Sequence, residues 1–512
     1  MVYHDVVTTL TTSATSVFRF DNSYARDLEG LYVPWKAAEV PQPKLIKFNR
    51  ALAEELGLDA EALDSDEGAR IFSGNAVPEG IKTIAQAYAG HQFGGFSPQL
   101  GDGRALLLGE VIDRHGRRRD IAFKGSGRTP FSRGGDGKAA LGPVLREYII
   151  GEAMRALGIP TTRALAAVTT GEFVRRERNL PGAVLTRVAS SHIRVGTFQF
   201  VTVRGDIPML KKLADYVIER HYPELKGQDE RYWGLLRGLC ERQAELIARW
   251  MNIGFIHGVM NTDNMTLSGE TIDYGPCAFM DRYDPVTVFS SIDEQGRYAY
   301  VNQPPIANWN LARFAEALLP LLANEQNEDQ DRAVQQAMEI LGTFQQRYEH
   351  YWLQGMRKKL GLTTEAADDF ALATDFLKAM EGQGVDYTQA FRRLADVAVG
   401  KGALSDIGLH KLYVNDSALQ AWLPRWRARL EKETASPQQR AQAMRAVNPV
   451  YIPRNHKVEE ALDAAVELGD YAPFEQLLEV LRQPFLENKA FAAYTEPATQ
   501  EQAAGYRTFC GT

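Results

Sequence analysis

Two polar residues that lie close together in the chain have the chemistry of a metal and nucleotide site. Asn264 ends a loop that begins at His257, and Asp273 follows a few residues later. Their side-chain oxygens are donors of the kind that Mg²⁺ or Mn²⁺ takes together with substrate phosphates. Either residue alone is better explained by a polar turn, so the prediction depends on their shared context. We predict that Asn264 and Asp273 bind a divalent metal.

The spacing is that of a kinase catalytic loop, H-x-D-x-x-x-x-N followed by a metal-binding Asp. His257 and Asn264 occupy the outer positions, and we expect the histidine to brace the loop. The position of the usual base is Val259, which cannot accept a proton. Asp263 is the carboxylate in this loop that could take a proton from a hydroxyl nucleophile, although a loop-capping role explains it equally simply. The loop therefore predicts metal and nucleotide binding without the usual base for γ-phosphoryl transfer.

A lysine and a glutamate upstream have the spacing of a phosphate-binding pair. Lys124 ends a predicted strand, and Glu147 lies on the next predicted helix. In kinase-like enzymes a strand Lys holds the nucleotide phosphates and a helix Glu fixes that Lys by an ion pair. A surface Lys and a surface Glu are the simpler interpretation of either alone. Their common context with Asp273 favours the functional one.

Glycine clusters and two arginines could contact phosphates as well. The clusters are residues 101–104 and 134–138, and glycines allow backbone N–H groups to approach a phosphate closely. Neither cluster has the pattern of a Walker A loop or of a dinucleotide-binding fingerprint, and hairpin turns also collect Gly and Asp. Arg187 and Arg194 have side chains suited to bidentate phosphate recognition, but surface arginines are common. Taken alone, each of these signals is weak.

The elements that must position these residues form two regions. Up to residue 203 we predict an N-terminal extension and a small β-rich lobe. Its predicted elements are a helix at 45–56, strands at 105–111 and 120–124, a helix at 142–157, and strands at 164–169 and 182–188. From 204 to 512 we predict a helical lobe that contains the catalytic loop. Its predicted helices are 233–254, 308–322, 331–360, 365–380, 386–399, 422–432 and 458–481, before an extended tail from Asn488. The predicted fold class is α+β, with the two lobes of a protein kinase.

Composition excludes several classes of function. The chain has 512 residues, 45% of them hydrophobic and 24% charged, as in an ordinary folded protein. A net charge of −7 gives no support for a nucleic-acid or membrane-surface partner. The sequence shows no apolar run long enough to span a bilayer and no secretion signal, so we expect a bacterial cytoplasmic protein. The cysteines, Cys240, Cys277 and Cys510, match no zinc motif and no disulfide framework.

Several stretches together resemble the selenoprotein O family, also known as the YdiU family of protein adenylyltransferases. The resemblance spans most of the chain and is most specific at residues 88–94, 98–105, 191–194, 257–264 and 273–276. Asn448-Pro449 and Arg454-Asn455 extend it into the helical part. It implies a kinase-like fold that binds ATP flipped relative to ordinary kinases, so that the α-phosphate faces the acceptor. The implied reaction is transfer of AMP to a Ser, Thr or Tyr hydroxyl of another protein, with release of pyrophosphate.

The resemblance also assigns roles to individual residues. Lys124 would hold phosphate and pair with Glu147, Asp263 would accept the proton, and Asn264 and Asp273 would bind Mg²⁺ or Mn²⁺. The nucleotide contacts would be Gly101, Gly103, Arg104, Lys124, Asp136, Gly137, Arg187, Arg194 and Asp273. Some relatives use UTP with Mn²⁺, so UMP transfer is the alternative reaction.

By the same resemblance, a Cys277–Cys510 disulfide could hold the C-terminal tail over the active site. Two free thiols are the simpler expectation for a cytosolic protein.

Three other classes of function compete with nucleotidyl transfer. A true kinase would transfer the γ-phosphate, and Val259 argues against it. A pseudokinase scaffold would bind nucleotide without forming a product, and the intact set of Lys124, Glu147, Asn264 and Asp273 argues against that. A nucleic-acid binder is the weakest alternative, given the acidic charge and the absence of a basic, aromatic-rich module.

Overall fold

The chain consists of a β-rich N-terminal region and a helical C-terminal region, in a computed structural model that describes residues 18–325, 329–400 and 403–509. The described strands are β1 Tyr32–Pro34, β2 Lys44–Phe48, β3 Ile84–Gln86, β4 Gly90–Gln92, β5 Gly95–Ser97, β6 Ala105–Ile112, β7 Arg118–Lys124, β8 Ala139–Ala140, β9 Arg163–Arg175, β10 Asn179–Ala189, β11 Phe255–Ile256 and β12 Ala278–Phe279. This distribution confirms the predicted mixed α and β composition, with strands first and helices after them.

Helices α1 to α8 are Ser23–Asp27, Arg50–Glu55, Ala60–Leu63, Asp66–Ser73, Leu141–Ala156, Val195–Thr202, Ile207–His221 and Arg231–Ile253. Helices α9 to α14 are Gln303–Glu325, Gln330–Gly342, Phe344–Lys359, Asp369–Met380, Tyr387–Val399 and Ala403–His410. Helices α15 to α19 are Ser417–Leu430, Pro437–Val447, Asn455–Asp463, Ala472–Leu481 and Gln500–Ala503. None of the described helices is both long and apolar enough to cross a membrane.

One antiparallel sheet carries the N-terminal half of the site. Its strand order is β1-β3-β6-β7-β10-β9-β2, with β8 paired to β10. The β6–β7 hairpin closes through a turn in which Asp113 Oδ1 accepts the N–H groups of His115 and Arg117, both at 2.9 Å. This confirms the predicted hairpin and the predicted helix that follows it, α5.

Alternation along β7 decides which way Lys124 points. Ile121 and Phe123 are buried in a small apolar core with α2 and α4, whereas Ala122 joins the larger core that contains α5. Side chains of a strand alternate between faces, so Lys124 lies on the face of Ala122. Arg187 of β10 pairs directly with Ala122 and shares that face. The sheet therefore presents Lys124 and Arg187 toward α5.

Four predicted elements differ from the structure. The stretch 458–481 is not one helix: α17 continues into a π-helical segment, Ala464–Leu468, which ends at Gly469 in a left-handed conformation, and α18 begins at Ala472. The stretch 45–56 is strand β2 followed by helix α2, because β2 pairs with β9 as the edge strand of the sheet and the Asn49 side chain caps α2 by accepting the Leu52 N–H at 3.2 Å. The stretch 331–360 is two helices, α10 and α11, that meet at Gly342, a residue of low helix propensity. The tail from Asn488 is not wholly extended: it contains a 3₁₀ segment, Lys489–Tyr494, and helix α19.

Two small ribbons frame the catalytic loop. Strands β11 and β12 pair through Phe255 and Phe279 and hold the two ends of the segment that contains residues 257–273. Strands β4 and β5 form a hairpin, absent from the sequence prediction, whose β4 strand lies against Thr262–Asn264, a 3₁₀ turn of the loop.

Candidate active site

A cavity of about 650 Å³ between the sheet and the loop 257–273 collects the predicted site residues. Among its lining residues are Gly101, Gly103, Arg104, Lys124, Asp136, Gly137, Arg187, Arg194, Asp263, Asn264 and Asp273. Of the predicted set, only Glu147 does not line this cavity. It lies behind Lys124. The structure thus brings together residues that are up to 172 positions apart in the chain (Gly101 to Asp273).

Asp273 is surrounded by three cationic side chains. Its Oδ1 accepts from Lys124 Nζ at 3.2 Å and from Arg187 Nη1 at 2.7 Å, and its Oδ2 accepts from Arg194 Nη1 at 2.7 Å. Burial alone would raise the pKa of Asp273, but the charges of Arg187, Lys124 and Arg194 outweigh it and hold the pKa well below its usual value. Asp273 is therefore ionised at the centre of a cluster with excess positive charge.

The backbone of Asp273 is strained. Its φ is +65°, in the left-handed region that residues with a side chain rarely adopt. Such a conformation costs about 1–2 kcal/mol and is found preferentially at functional sites. His257 helps to hold it, because the His257 Nε2 donates to the carbonyl oxygen of Ile272 at 2.8 Å while the ring stacks on Trp250. This contact is the bracing role expected for that histidine.

Glu147 holds two of the three cations. Lys124 Nζ donates to Glu147 Oε2 at 2.5 Å, and Arg187 Nη1 donates to Glu147 Oε1 at 3.1 Å. Burial raises the pKa of Glu147, and the adjacent Lys124 and Arg187 lower it further than burial raises it. The carboxylate therefore stays ionised and fixes both side chains at the deep end of the cavity.

A buried histidine that the sequence did not single out orients Arg187. His192 Nε2 accepts from Arg187 Nε at 3.3 Å, and His192 Nδ1 donates to Asp120 Oδ2 at 2.9 Å. Asp120 is in turn paired with Arg220 at 2.5 Å. His192 lies in the stretch 191–194 that carries the family resemblance, and this resemblance is the feature of the sequence that could have identified His192 as a site residue. Its pairing partners are 5 and 72 positions away.

Asp263 has the opposite environment to Asp273. Its Oδ2 accepts from Gln92 Nε2 at 3.1 Å, whereas its Oδ1 is buried with no hydrogen-bond partner. Burial raises the pKa of Asp263 to about 6. Gly90 makes room for it, since a Cβ at Gly90 would lie 2.7 Å from Asp263 Oδ1. A carboxylate with one free oxygen and a pKa near neutrality is suited to accept a proton.

The donor set of the cavity fits a divalent metal only together with nucleotide phosphates. Asn264 Nδ2 donates to the Val259 carbonyl oxygen at 2.9 Å, which leaves the Asn264 amide oxygen available. Asp273 supplies a carboxylate beside it. No group of three His, Cys, Asp or Glu side chains is arranged as metal ligands in the described parts of the chain. Mg²⁺ is commonly held by one or two carboxylates plus substrate phosphates, so Asn264 and Asp273 suit that mode.

The glycine turns bring backbone close to the cavity wall. Gly101 has φ +77°, and a Cβ there would lie 2.4 Å from the Phe131 ring. Gly137 has φ +68°, and a Cβ there would lie 2.1 Å from the Gly127 carbonyl oxygen. Asp136, beside it, pairs with Arg176 at 2.8 Å. The two turns are therefore packed too tightly for any residue but glycine.

The predicted Cys277–Cys510 pairing involves a residue outside the described ranges. Cys277 is buried with a free thiol, and burial raises its pKa to about 12. Cys510 is not among the described residues. The described tail does run beside Cys277, because Thr508 Oγ1 donates to the Pro276 carbonyl oxygen at 2.6 Å.

Comparisons with known proteins agree with one another. The family model described as "Protein adenylyltransferase SelO" matches residues 15–482. A "Protein nucleotidyltransferase YdiU" of Cereibacter sphaeroides is 62% identical over 496 residues, which cover 97% of this chain and 100% of that protein. Proteins of the same name from Chromobacterium violaceum and Rhizobium etli are 62% and 58% identical, over 94% and 97% of this chain and 99% and 98% of their own lengths.

Proposed function

This chain belongs to the SelO family and is a protein nucleotidyltransferase, and we propose that it transfers AMP from ATP to Ser, Thr or Tyr hydroxyl groups of other proteins, releasing pyrophosphate. The observation that carries this proposal is the position of the charges. The deep end of the cavity holds Arg187 and Arg194, which are 2% and 3% exposed, together with Lys124. These cations complement the negative charge of the β- and γ-phosphates, which the uncharged adenine ring does not have.

This placement of the phosphates implies the flipped orientation of ATP. With the β- and γ-phosphates at the deep end, the α-phosphate is the one nearest the cavity mouth and the acceptor. The Lys124–Glu147 pair, the loop of residues 257–264 and the β-rich and helical regions support a kinase-like fold for this arrangement. Asp136 and Gly137 belong to the turn 134–137, whose first two residues are exposed, and would contact the nucleoside at the mouth.

Asp263 acts as the base in the proposed reaction. It takes the proton from the acceptor hydroxyl as that oxygen bonds to the α-phosphorus and the bond from the α-phosphorus to the bridging oxygen breaks. Lys124, Arg187 and Arg194 stabilise the negative charge that develops on the leaving pyrophosphate. A divalent cation held by Asn264 and Asp273 would neutralise further phosphate charge. No base is needed at position 259 in this scheme, because the α-phosphorus is attacked instead of the γ-phosphorus and Asp263 takes the proton.

Two labelled nucleotides test the proposal directly. The protein is incubated under reducing conditions with Mg²⁺ or Mn²⁺, a protein acceptor, and ATP labelled on either the α- or the γ-phosphate. We expect protein-bound label from the α-position alone, and loss of that label in Asp273→Ala. A parallel reaction with α-labelled UTP compares AMP with UMP transfer.

The other outcomes point to the competing functions. Label from the γ-position alone would show a kinase and would contradict the role given to Asp263. Bound ATP without transfer from either position would favour a nucleotide-binding scaffold.

A further inference from the structure

The hairpin β4–β5 is attached to the catalytic loop residue by residue. Besides the Gln92–Asp263 bond, the His91 N–H donates to Thr262 Oγ1 at 2.7 Å and the Phe93 N–H donates to Asn261 Oδ1 at 3.1 Å. Three successive residues of the hairpin therefore bond to three successive residues of the loop. The tip of the hairpin is held at a fixed position beside the proposed base.

The tip has a strained backbone that displays an aromatic side chain. Phe93 has φ +51° and Gly94 has φ +86°, so both central residues of the two-residue turn are left-handed. Asn, Asp or Gly is the usual residue at the first of these positions, and a phenylalanine there costs about 1–2 kcal/mol. Phe93 nevertheless remains 39% exposed at the rim of the cavity. The Phe93 ring packs on Tyr298, with the ring centroids 5.1 Å apart, and its exposed part at the edge of the site is suited to binding a partner.

Other exposed apolar side chains continue from the tip. Phe96 is 42% exposed, and its ring lies 4.8 Å from that of His91. Ile292 is 50% exposed and also lines the cavity. We call Phe93, Phe96, Ile292 and Arg297 the hairpin rim.

Arg297 gives the hairpin rim a cation that has no ionic partner among the residues that the structure describes. Its guanidinium lies 4.9 Å from the Trp309 ring centroid and 3.9 Å or less from where a Cβ on Gly94 would stand. Its Nε is buried without a hydrogen-bond acceptor, and its guanidinium forms no ion pair with any described residue. This guanidinium is the positive charge of the hairpin rim. A carboxylate on a partner is the chemistry that complements it.

We propose that the hairpin rim docks the acceptor protein and selects an exposed segment in which an acidic side chain lies near the hydroxyl residue. The inference rests on the proposed nucleotidyl transfer and specifies the partner of that site. Apolar parts of the segment pack on Phe93, Phe96 and Ile292, and the acidic side chain pairs with Arg297. The hydroxyl then reaches Asp263, to which the hairpin is bonded through Gln92.

Acceptors of opposite charge test the inference. AMP transfer is measured to poly(Glu,Tyr) and to poly(Lys,Tyr), with wild-type protein and with Arg297→Glu. We expect the wild-type protein to prefer poly(Glu,Tyr). In Arg297→Glu, the ratio of kcat/KM for poly(Glu,Tyr) to kcat/KM for poly(Lys,Tyr) should fall by about tenfold, the effect of roughly one lost charge pair. The KM for ATP should stay unchanged, since Arg297 does not line the nucleotide cavity. Arg482→Glu, on an exposed helix end, is the matched control.

A second pair of variants tests the apolar part of the hairpin rim. Phe96→Ala should raise the KM for poly(Glu,Tyr) several-fold, whereas Phe173→Ala, at a 71% exposed phenylalanine of β9, should not. An unchanged acceptor ratio in Arg297→Glu, or no transfer to poly(Glu,Tyr) by wild type that modifies other proteins, would overturn the docking inference alone. Absence of α-label transfer to any acceptor would overturn the proposed function as well.

Discussion

At the scale of single residues, two aspartates of one loop have opposite electrostatic environments. Asp273 faces three cations and remains ionised well below neutral pH, whereas Asp263 is buried with an unpaired oxygen and has a pKa of about 6. The first suits a permanent anion that keeps the three cationic side chains together and would hold a divalent metal. The second suits a group that gains and loses a proton during the reaction. The environments, not the residue type, separate the two roles.

Because the pKa of Asp263 is raised in the folded protein, its ionised carboxylate lowers the free energy of unfolding at neutral pH. A folded-state pKa above the unfolded value contributes stability at low pH, and that stability is lost as the pH rises from about 4 through about 6. We therefore expect Asp263→Asn to abolish AMP transfer and to raise the free energy of unfolding by about 1–3 kcal/mol at neutral pH. Urea denaturation at about pH 7.5 measures the gain.

The same measurement at about pH 4 is the control, since wild-type Asp263 is then protonated and the difference should largely vanish. An equal change in stability at both pH values would show that the carboxylate charge is not the cause. A transfer rate that Asp263→Asn leaves intact would remove this residue from the role of base.

At the scale of elements, the turn 134–137 depends on backbone conformations that only glycine adopts without strain. Gly134 and Gly137 both have positive φ, +88° and +68°. A Cβ on Gly134 would meet nothing within 4 Å, whereas a Cβ on Gly137 would collide with the Gly127 carbonyl oxygen. A substitution at Gly134 therefore causes backbone strain alone, whereas one at Gly137 causes backbone strain and a steric clash.

Gly137→Ala should weaken nucleotide binding much more than Gly134→Ala. The clash at Gly137 must move the turn away from Gly127, which removes it from the cavity wall, whereas Gly134→Ala costs only about 1–2 kcal/mol of backbone strain. We expect at least a tenfold increase in the Kd for ATP for Gly137→Ala, and a smaller increase for Gly134→Ala. Titration of both variants with a fluorescent ATP analogue measures this. Equal Kd values for the two variants would contradict the packing argument.

At the scale of the whole molecule, one buried arginine ties the helical region to the segment that follows the catalytic loop. Arg454, 1% exposed, donates to Asp281 and to Asp386, each at 2.6 Å, and to the Thr495 carbonyl oxygen at 2.8 Å. Burial raises the pKa of Asp386, and the adjacent Arg454 acts in the opposite direction and favours the ionised carboxylate. Three separate stretches of chain therefore meet at one side chain.

Arg454→Met should destabilise the protein by about 3–5 kcal/mol, because it leaves Asp386 buried without a cation. Adding Asp386→Asn to that variant should recover part of the loss, since the uncompensated charge is then removed. Thermal or urea unfolding measures both variants. Arg482→Met, at an exposed pair with Glu479, is the control and should change stability by less than about 1 kcal/mol. A loss as large in the control, or no recovery in the double variant, would argue against a buried ionic role.

The sequence by itself determined which residues could form the candidate site. The spacing of His257, Asn264 and Asp273 identified the loop, and Val259 indicated that the usual kinase base is missing. The hairpin with Lys124 and the helix with Glu147 were predictable because they are local patterns of alternation and helical periodicity. Local stretches can be interpreted in this way because their hydrophobic pattern and turn residues lie within a few positions of one another.

Only the tertiary structure decided how these pieces meet. The division of 45–56 into β2 and α2 depends on pairing with β9, more than a hundred residues away. The contact of Gln92 with Asp263 spans 171 positions, and that of His192 with Asp120 spans 72. The pKa of Asp263 depends on its burial. Long-range pairing and desolvation result from packing of distant segments, and no local pattern of residue types records them.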